Sequence, residues 1–273
     1  MHSPISNFLL LSYPLINVIV IIYQILYFLH IPYALGFSII VLTVIIRLVL
    51  YPFVTSQLKA TKKMQELNPH LSRLKEKHKN DAKMLQQETM KLYKEFGVNP
   101  LSGCLPVIIQ LPLIWALYSV LGDVVKYSSA EINKILYSDF YKLSKPWDTN
   151  FFGLPLAQSP SHLYSAVPLV LMVPVLTGFF QLIQSKMIIF TPAKIPDKND
   201  KGKEKKKEED FATSFQTQST YIFPIMIAFF SWGFPIGLSL YWNTYTIFGI
   251  IQQYKISGLG GLKEWMDKIN GRK

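Results

Sequence analysis

Four stretches of this chain run for about twenty residues or more with almost no charge: Leu35–Val54, Leu101–Leu121, Leu163–Ser185 and Ser219–Tyr254. A helix needs about 20 apolar residues to cross the hydrocarbon core of a bilayer, so each block is long enough to do so. In lipid the backbone must satisfy its own hydrogen bonds, which narrows the options to helices or closed barrels. A soluble protein of 273 residues would instead spread its apolar residues with a period of 2 or 3.6. The last block is 36 residues, too long for one span. Gly233-Phe234-Pro235 at its centre suits a tight turn between two helices. Five spans are therefore expected, in an all-α polytopic membrane protein. Leu15–Ile31 is a shorter candidate of 17 uncharged residues, preceded by Pro14, followed by Pro32 and interrupted by Gln24 and His30. It reads as a helix lying along the membrane surface, with a sixth span as the alternative.

Arg47 is the single formal charge inside these blocks. An ionisable group near mid-bilayer costs about 2.5–3.5 kcal/mol on insertion scales. None of the blocks contains an Asp or Glu, so an ordinary ion pair within the membrane is not available. A polar cavity holding water is the expected compensation. The alternative is an arginine that snorkels to the nearer interface along its own stem.

The remaining charge sets orientation. Residues 1–46 hold no Lys or Arg, whereas 55–100 hold ten, 122–162 four, 186–218 eight and 255–273 five. By the positive-inside rule, 55–100, 186–218 and the C-terminus face the cytoplasm, and the N-terminus and 122–162 face outward. The net charge of +11 is thus a topology signal. It lies in loops rather than on one folded face, so direct DNA binding is not expected, although lipid headgroups and ribosomal RNA remain within its chemistry. Residues 194–210 set seven Lys against six Asp/Glu, which reads as a mobile linker.

Between the first two blocks, Leu67, Leu71, Leu74 and His78 form one stripe at helical spacing, and Leu85, Thr89, Leu92 and Phe96 form another. Asn80-Asp81 supplies turn chemistry between them. Two amphipathic helices so joined would pack as an antiparallel hairpin. It is either a solvated spacer or a docking arm for headgroups, a client or a partner. The outer loop 122–162 is mixed in character and shows no chemistry.

The uncharged polar residues inside the blocks include Thr43, Gln110, Ser119, Gln181, Gln184, Ser239, Asn243 and Thr244. Each alone would simply bond a neighbouring helix, typically for less than about 1 kcal/mol. Together with Arg47 they would line one hydrated concavity. Pro106, Pro112, Pro168, Pro174 and Pro224 also fall inside blocks, as suits helices curved around such a space. No G-x-S-x-G, H-E-x-x-H or P-loop is present, and Cys104 is the single cysteine. An enzyme, a metal site and a cofactor are therefore not expected.

Several ordered motifs resemble one family. Leu42-Thr43-Val44-Ile45-Ile46-Arg47-Leu48 with Tyr51-Pro52 is similar to the first core helix of the YidC/Oxa membrane protein insertases. Lys63-Met64-Gln65, Leu67 and Pro69 resemble the start of their cytoplasmic hairpin. Leu92-Tyr93-Lys94, then Val98-Asn99-Pro100-Leu101-Ser102-Gly103-Cys104-Leu105-Pro106, resemble its junction with the second span. Ile109-Gln110-Leu111-Pro112, Phe234-Pro235, Gly237-Leu238, Leu240-Tyr241-Trp242 and Ile251-Gln252-Gln253-Tyr254 continue the match over about 35–255.

The resemblance implies an insertase that needs no nucleotide. It implies a hydrophilic groove open to the cytoplasm and to lipid, surrounded by five spans and closed on the outer side. Arg47 matches the groove arginine, and Gln184 and Trp242 match further lining positions. Thr43, Gln110 and Asn243 complete the expected client groove. The expected organisation is an interfacial helix over 1–34, spans over 35–55, 100–121, 163–186 and a pair within 219–254, and a hairpin over 56–99. An outer loop covers 122–162, a flexible cytoplasmic loop 187–218 and a basic tail 255–273. Expected partners are nascent membrane proteins and membrane lipid, with the general secretion translocon and the ribosome as further candidates, in a cell inner membrane. A structural scaffold and a small-solute transporter are the competing functions. A transporter would predict internal repeats, and none is evident.

Overall fold

The computed structural model describes residues 4–78, 81–97, 127–188 and 211–271, together with Pro112, Ile114, Trp115, Tyr118 and Val120. The expected second span, with Gln110 and Cys104, therefore lies largely outside the described residues. The chain divides into two compact units. One is Met1–Tyr51, Val107–Gln181 and Pro224–Gly249; the other is Pro52–Pro106, Leu182–Phe223 and Ile250–Lys273.

The first unit opens with α1 (Pro4–Phe28), which packs on α2 (Ala34–Val49). Ile16, Ile19, Val20 and Tyr23 recur at helical spacing and are buried with Leu35, Ile39 and Leu42 of α2. The expected start of the first helix at Leu15 is corrected: α1 begins at Pro4 and continues through Pro14. Proline removes one backbone donor and crowds the preceding turn. Here Pro14 is on the exposed side, and the two buried turns that follow hold the helix together.

The segment from 127 to 163 is an ordered cap. It contains α6 (Ser129–Asn133), a 3-10 turn at Asp139–Tyr141 and a two-residue hairpin of β1 (Asn150–Phe151) and β2 (Leu154–Pro155), followed by α7 (Pro160–Leu163). The strands are antiparallel, with Asn150 opposite Pro155 and Phe151 opposite Leu154. Ile132, Leu143, Trp147 and Leu156 sink into the same core as α1 and α2. Asn17 fixes the cap to α1: its amide donates to the Ile135 carbonyl at 3.2 Å and accepts from the Tyr137 N–H at 2.7 Å. Gln24 donates to the Lys142 carbonyl at 3.0 Å.

After a 3-10 turn at Pro168–Leu171 comes α8 (Met172–Ile188), then α9 (Phe211–Gly233) and α10 (Ile236–Ser257). The break between the last two falls at Phe234-Pro235, within the Gly233-Phe234-Pro235 turn signal. Helices begin with N–H groups that lack intrahelical partners. Two of those at the head of α10 are taken by the cap: Ile236 N–H donates to the Gln158 carbonyl and Gly237 N–H to the Leu156 carbonyl, each at 2.9 Å. At Gly178 a Cβ would sit 2.9 Å from Ala228, so α8 and α9 approach closely there.

In the second unit, α3 (Tyr51–Glu66) leads into α4 (Asn68–Lys77) and α5 (Ala82–Glu95), and α4 packs against α5. Leu67 is buried, and the Asp81 carboxylate accepts from Met84 N–H at 2.9 Å to cap α5. His70 and Phe96 meet at 5.7 Å between ring centres. A final helix, α11 (Gly261–Ile269), follows α10.

Among the described residues, one helical segment, Pro168–Ile188, is by itself long and apolar enough to cross a membrane. Ala34–Val49 and Tyr51–Lys63 qualify only as a broken pair. Tyr13–Phe28 and Thr220–Gly233 are shorter apolar helices. The expected first span is thus interrupted at Leu50, where α2 ends. In α10, polar residues such as Asn243, Gln252 and Gln253 dilute the apolar run.

Candidate functional site

Among the described residues of the first unit, α2, α8, α9 and α10 carry the polar side chains that concern the site. On α2, Thr43 and Arg47 are four residues apart and so share a face. Both are buried, Arg47 to 3 % exposure. The Thr43 hydroxyl donates to its own helix at the Ile39 carbonyl, 2.6 Å away. Arg47 reaches across to α10, where its Nη2 donates to the Tyr245 carbonyl at 2.5 Å. The guanidinium carbon stands 3.3 Å from the centre of the Tyr245 ring and 5.9 Å from that of Phe248. Among the described residues, Arg47 Nε is enclosed without a hydrogen-bond partner.

Among the described residues, the surroundings of Arg47 are a main-chain carbonyl and two aromatic rings. Aromatic ring faces carry negative potential and attract a guanidinium, by about 2 kcal/mol or more when water is excluded. A main-chain carbonyl and two rings thus take the place of the missing carboxylate. Tyr245 was not legible as a partner in the sequence. The available signal was its position three residues after Trp242, on the same face of an uncharged helix.

Trp242 Nε1 donates to Gln181 Oε1 on α8 at 3.0 Å. Gln181 rather than Gln184 therefore meets Trp242; Gln184 is half-buried one turn farther along, in the second unit. Asn243 is half-buried, and among the described residues its Oδ1 is enclosed without a partner, as is Thr246 Oγ1. Ser239 and Ser231 exchange a hydroxyl bond at 2.8 Å, and Ser231 also reaches Thr177 at 3.4 Å. Thr244 bonds back to the Leu240 carbonyl at 2.8 Å. Of the expected lining residues, Thr43, Arg47, Trp242 and Asn243 belong to this unit, while Gln110 lies outside the described residues.

Chemically, the arrangement offers a fixed positive charge and several buried polar atoms with unused bonding capacity. Leaving such an atom unsatisfied costs about 1–3 kcal/mol. Groups of this kind can take up carboxylates and main-chain amides. Among the described residues no group of three or more His, Cys, Asp or Glu is placed to hold a metal ion.

Comparison with known proteins locates this architecture. A family model described as "60Kd inner membrane protein" matches residues 25–260. A "Membrane protein insertase YidC" of Fusobacterium nucleatum is 33% identical over 228 residues, covering 82% of this chain and 87% of the relative. One from Streptomyces avermitilis is also 33% identical over 228 residues, but the match spans 81% of this chain and only 50% of that protein. "Inner membrane protein ALBINO3, chloroplastic" of Arabidopsis thaliana is 31% identical, over 88% of this chain and 50% of the plant protein. A solved structure entitled "Active YidC insertase crystal structure with the first transmembrane domain resolved" superposes with a TM-score of 0.52 at 25% identity. That superposition covers 86% of this chain and 45% of the other. With the family model covering most of its length and a relative 33% identical over 82% of it, the chain belongs to the YidC/Oxa membrane protein insertase family.

Proposed function

We propose that this protein is a membrane protein insertase and chaperone, working in a cell inner membrane without nucleotide. Five spans would surround a groove to which the first unit contributes the polar band of Thr43, Arg47, Trp242 and Asn243. The N-terminus and the loop over 122–162 face outward. The hairpin of α4 and α5 and the C-terminus face the cytoplasm. A nascent client brings a short hydrophilic tail to the groove, where polar side chains lower the cost of removing that tail from water. Arg47 attracts acidic groups of the tail, and the attraction is strengthened by the low local dielectric. The hydrophobic segment then moves into lipid, and its burial at about 25 cal/mol per Å² drives the step. The hairpin receives the client.

The observation that carries this reading is the buried Arg47, held by a carbonyl and an aromatic face rather than by a carboxylate. A carboxylate partner would have neutralised it permanently. A carbonyl and a ring leave its formal charge uncompensated, so it can act on a client's acidic groups through the low-dielectric interior.

The test is insertion into liposomes containing only this protein. The client is a small single-span protein with an acidic N-terminal tail, scored by protease protection. Wild type is expected to insert above empty liposomes, and Arg47→Ala to impair acidic-tailed clients more than neutral-tailed ones. Equal insertion of both client types by Arg47→Ala would remove the charge from the mechanism. No insertion by folded wild-type protein would overturn the insertase reading.

A further inference from the structure

The last helix, α11, has a surface that the insertion mechanism does not use. Leu262, Trp265 and Met266 fall at helical spacing on one face, whereas Lys263 and Asp267 fall on another. Trp265 is 41% and Met266 43% exposed, so much of the apolar face has no protein over it. The helix is held in place at its start. Gly258 and Gly260 adopt positive φ angles of 71° and 52° in the turn after α10. A Cβ at Gly260 would overlap the Met187 carbonyl at the end of α8. That close approach ties the beginning of α11 to α8, and only glycine permits both the approach and the backbone angle.

Two further observations identify what covers the face. On α10, the helix that leads into it, Ile251 and Tyr254 are 52% and 58% exposed, so an uncovered apolar surface runs down to within a few residues of α11. Residues 255–273 hold five Lys/Arg against two Asp/Glu, and Lys255 and Lys263 are both exposed. A short helix with Trp on its apolar face and Lys on its polar face is suited to the headgroup–acyl boundary of a bilayer. Aromatic side chains concentrate at that depth.

We propose that α11 is an interfacial anchor. It lies on the cytoplasmic surface of the membrane with Trp265 and Met266 in the acyl boundary, and Lys255 and Lys263 contact anionic phospholipid headgroups. The inference rests on the membrane reading above and extends it to a lipid-composition dependence. Binding strengthens as the anionic fraction of the inner leaflet rises, and salt weakens it.

The test uses the full chain with Cys104→Ser and Met266→Cys, labelled with an environment-sensitive fluorophore and reconstituted in vesicles. Flotation with the vesicles first shows that the chain is membrane-integrated, so failure of the membrane reading is detected separately. The proposal expects brominated lipid to quench the label strongly in vesicles rich in phosphatidylglycerol, and aqueous iodide to quench it weakly. It expects the pattern to shift toward iodide in purely zwitterionic vesicles or at high salt. Lys255→Gln and Lys263→Gln should each weaken the lipid-facing state by about fivefold, the effect of one basic residue near an anionic surface. Iodide quenching that is strong and independent of lipid charge in a floated chain overturns the proposal. So does protection of the label that requires added ribosomes, which would make the helix a ribosome contact instead.

Discussion

At the residue scale, the hydrogen bond from Arg47 goes to the main chain of Tyr245, while the ring stacks on the guanidinium. The two contributions can therefore be separated by mutation. Tyr245→Phe keeps both the carbonyl and the ring face and should be nearly neutral. Tyr245→Ala keeps the carbonyl but removes the ring, with an expected loss of about 2 kcal/mol from the cation–π contact and more from the cavity left behind. Unfolding by heat or denaturant in detergent would measure both. A loss in Tyr245→Phe as large as in Tyr245→Ala would show that the hydroxyl, not the ring, matters. Arg47 itself was legible in the sequence because a lone charge in an apolar block needs an explanation. Its partner was not, because a backbone carbonyl and a ring face carry no sequence label. Gln181 illustrates the same limit: it and Gln184 are both amides in one apolar block, and only three-dimensional packing brings Gln181 to Trp242.

At the element scale, the short helices α4 and α5 followed directly from the periodic stripes on either side of Asn80-Asp81, because local spacing determines which face is apolar. The cap did not follow from local spacing. Its order depends on contacts such as that of Asn17 with the 135–137 backbone, some 118 to 120 residues away. Asn17→Leu would keep the bulk but strand the Ile135 carbonyl and the Tyr137 N–H. A loss of about 1–3 kcal/mol is expected, with earlier proteolysis of the cap. Unchanged proteolysis would mean that the buried apolar residues alone hold it. The capping box of α6 adds a pH dependence. Hydrogen bonds from the Ser128 hydroxyl and then the Ser128 backbone hold the Glu131 carboxyl below its ordinary value. Its contribution is therefore present above the ordinary carboxylate range and is lost as pH falls through the lowered folded value. Exchange of the amides at 128–132, corrected for intrinsic rate, should accelerate over that acid window in wild type. In Glu131→Gln the acceleration should be absent.

At the scale of the whole molecule, the length of α1 raises a question of topology. At about 1.5 Å per residue, its 25 residues extend for roughly 37 Å, enough to cross a bilayer, whereas Leu15–Ile31 was at the short end for a span. Its contacts bear on the answer. Asn17 and Gln24, seven residues and about 10 Å apart on the helix axis, both bond the cap, which the proposed topology puts outside. A helix crossing the membrane beside α2 would meet an outer cap only near its outer end. A helix lying along the outer surface can meet it over several turns. The surface arrangement leaves the N-terminus outside and matches the absence of Lys and Arg from residues 1–46 before Arg47. A cysteine placed at Ser6 in a Cys104→Ser background should therefore react with a membrane-impermeant maleimide from the outside of intact cells, as should one at Ser138 in the cap. A cysteine at Lys91 in α5 should react only after the membrane is opened. If Ser6 behaves like Lys91 instead, α1 is a sixth span, and the Asn17 and Gln24 contacts mark only its outer end.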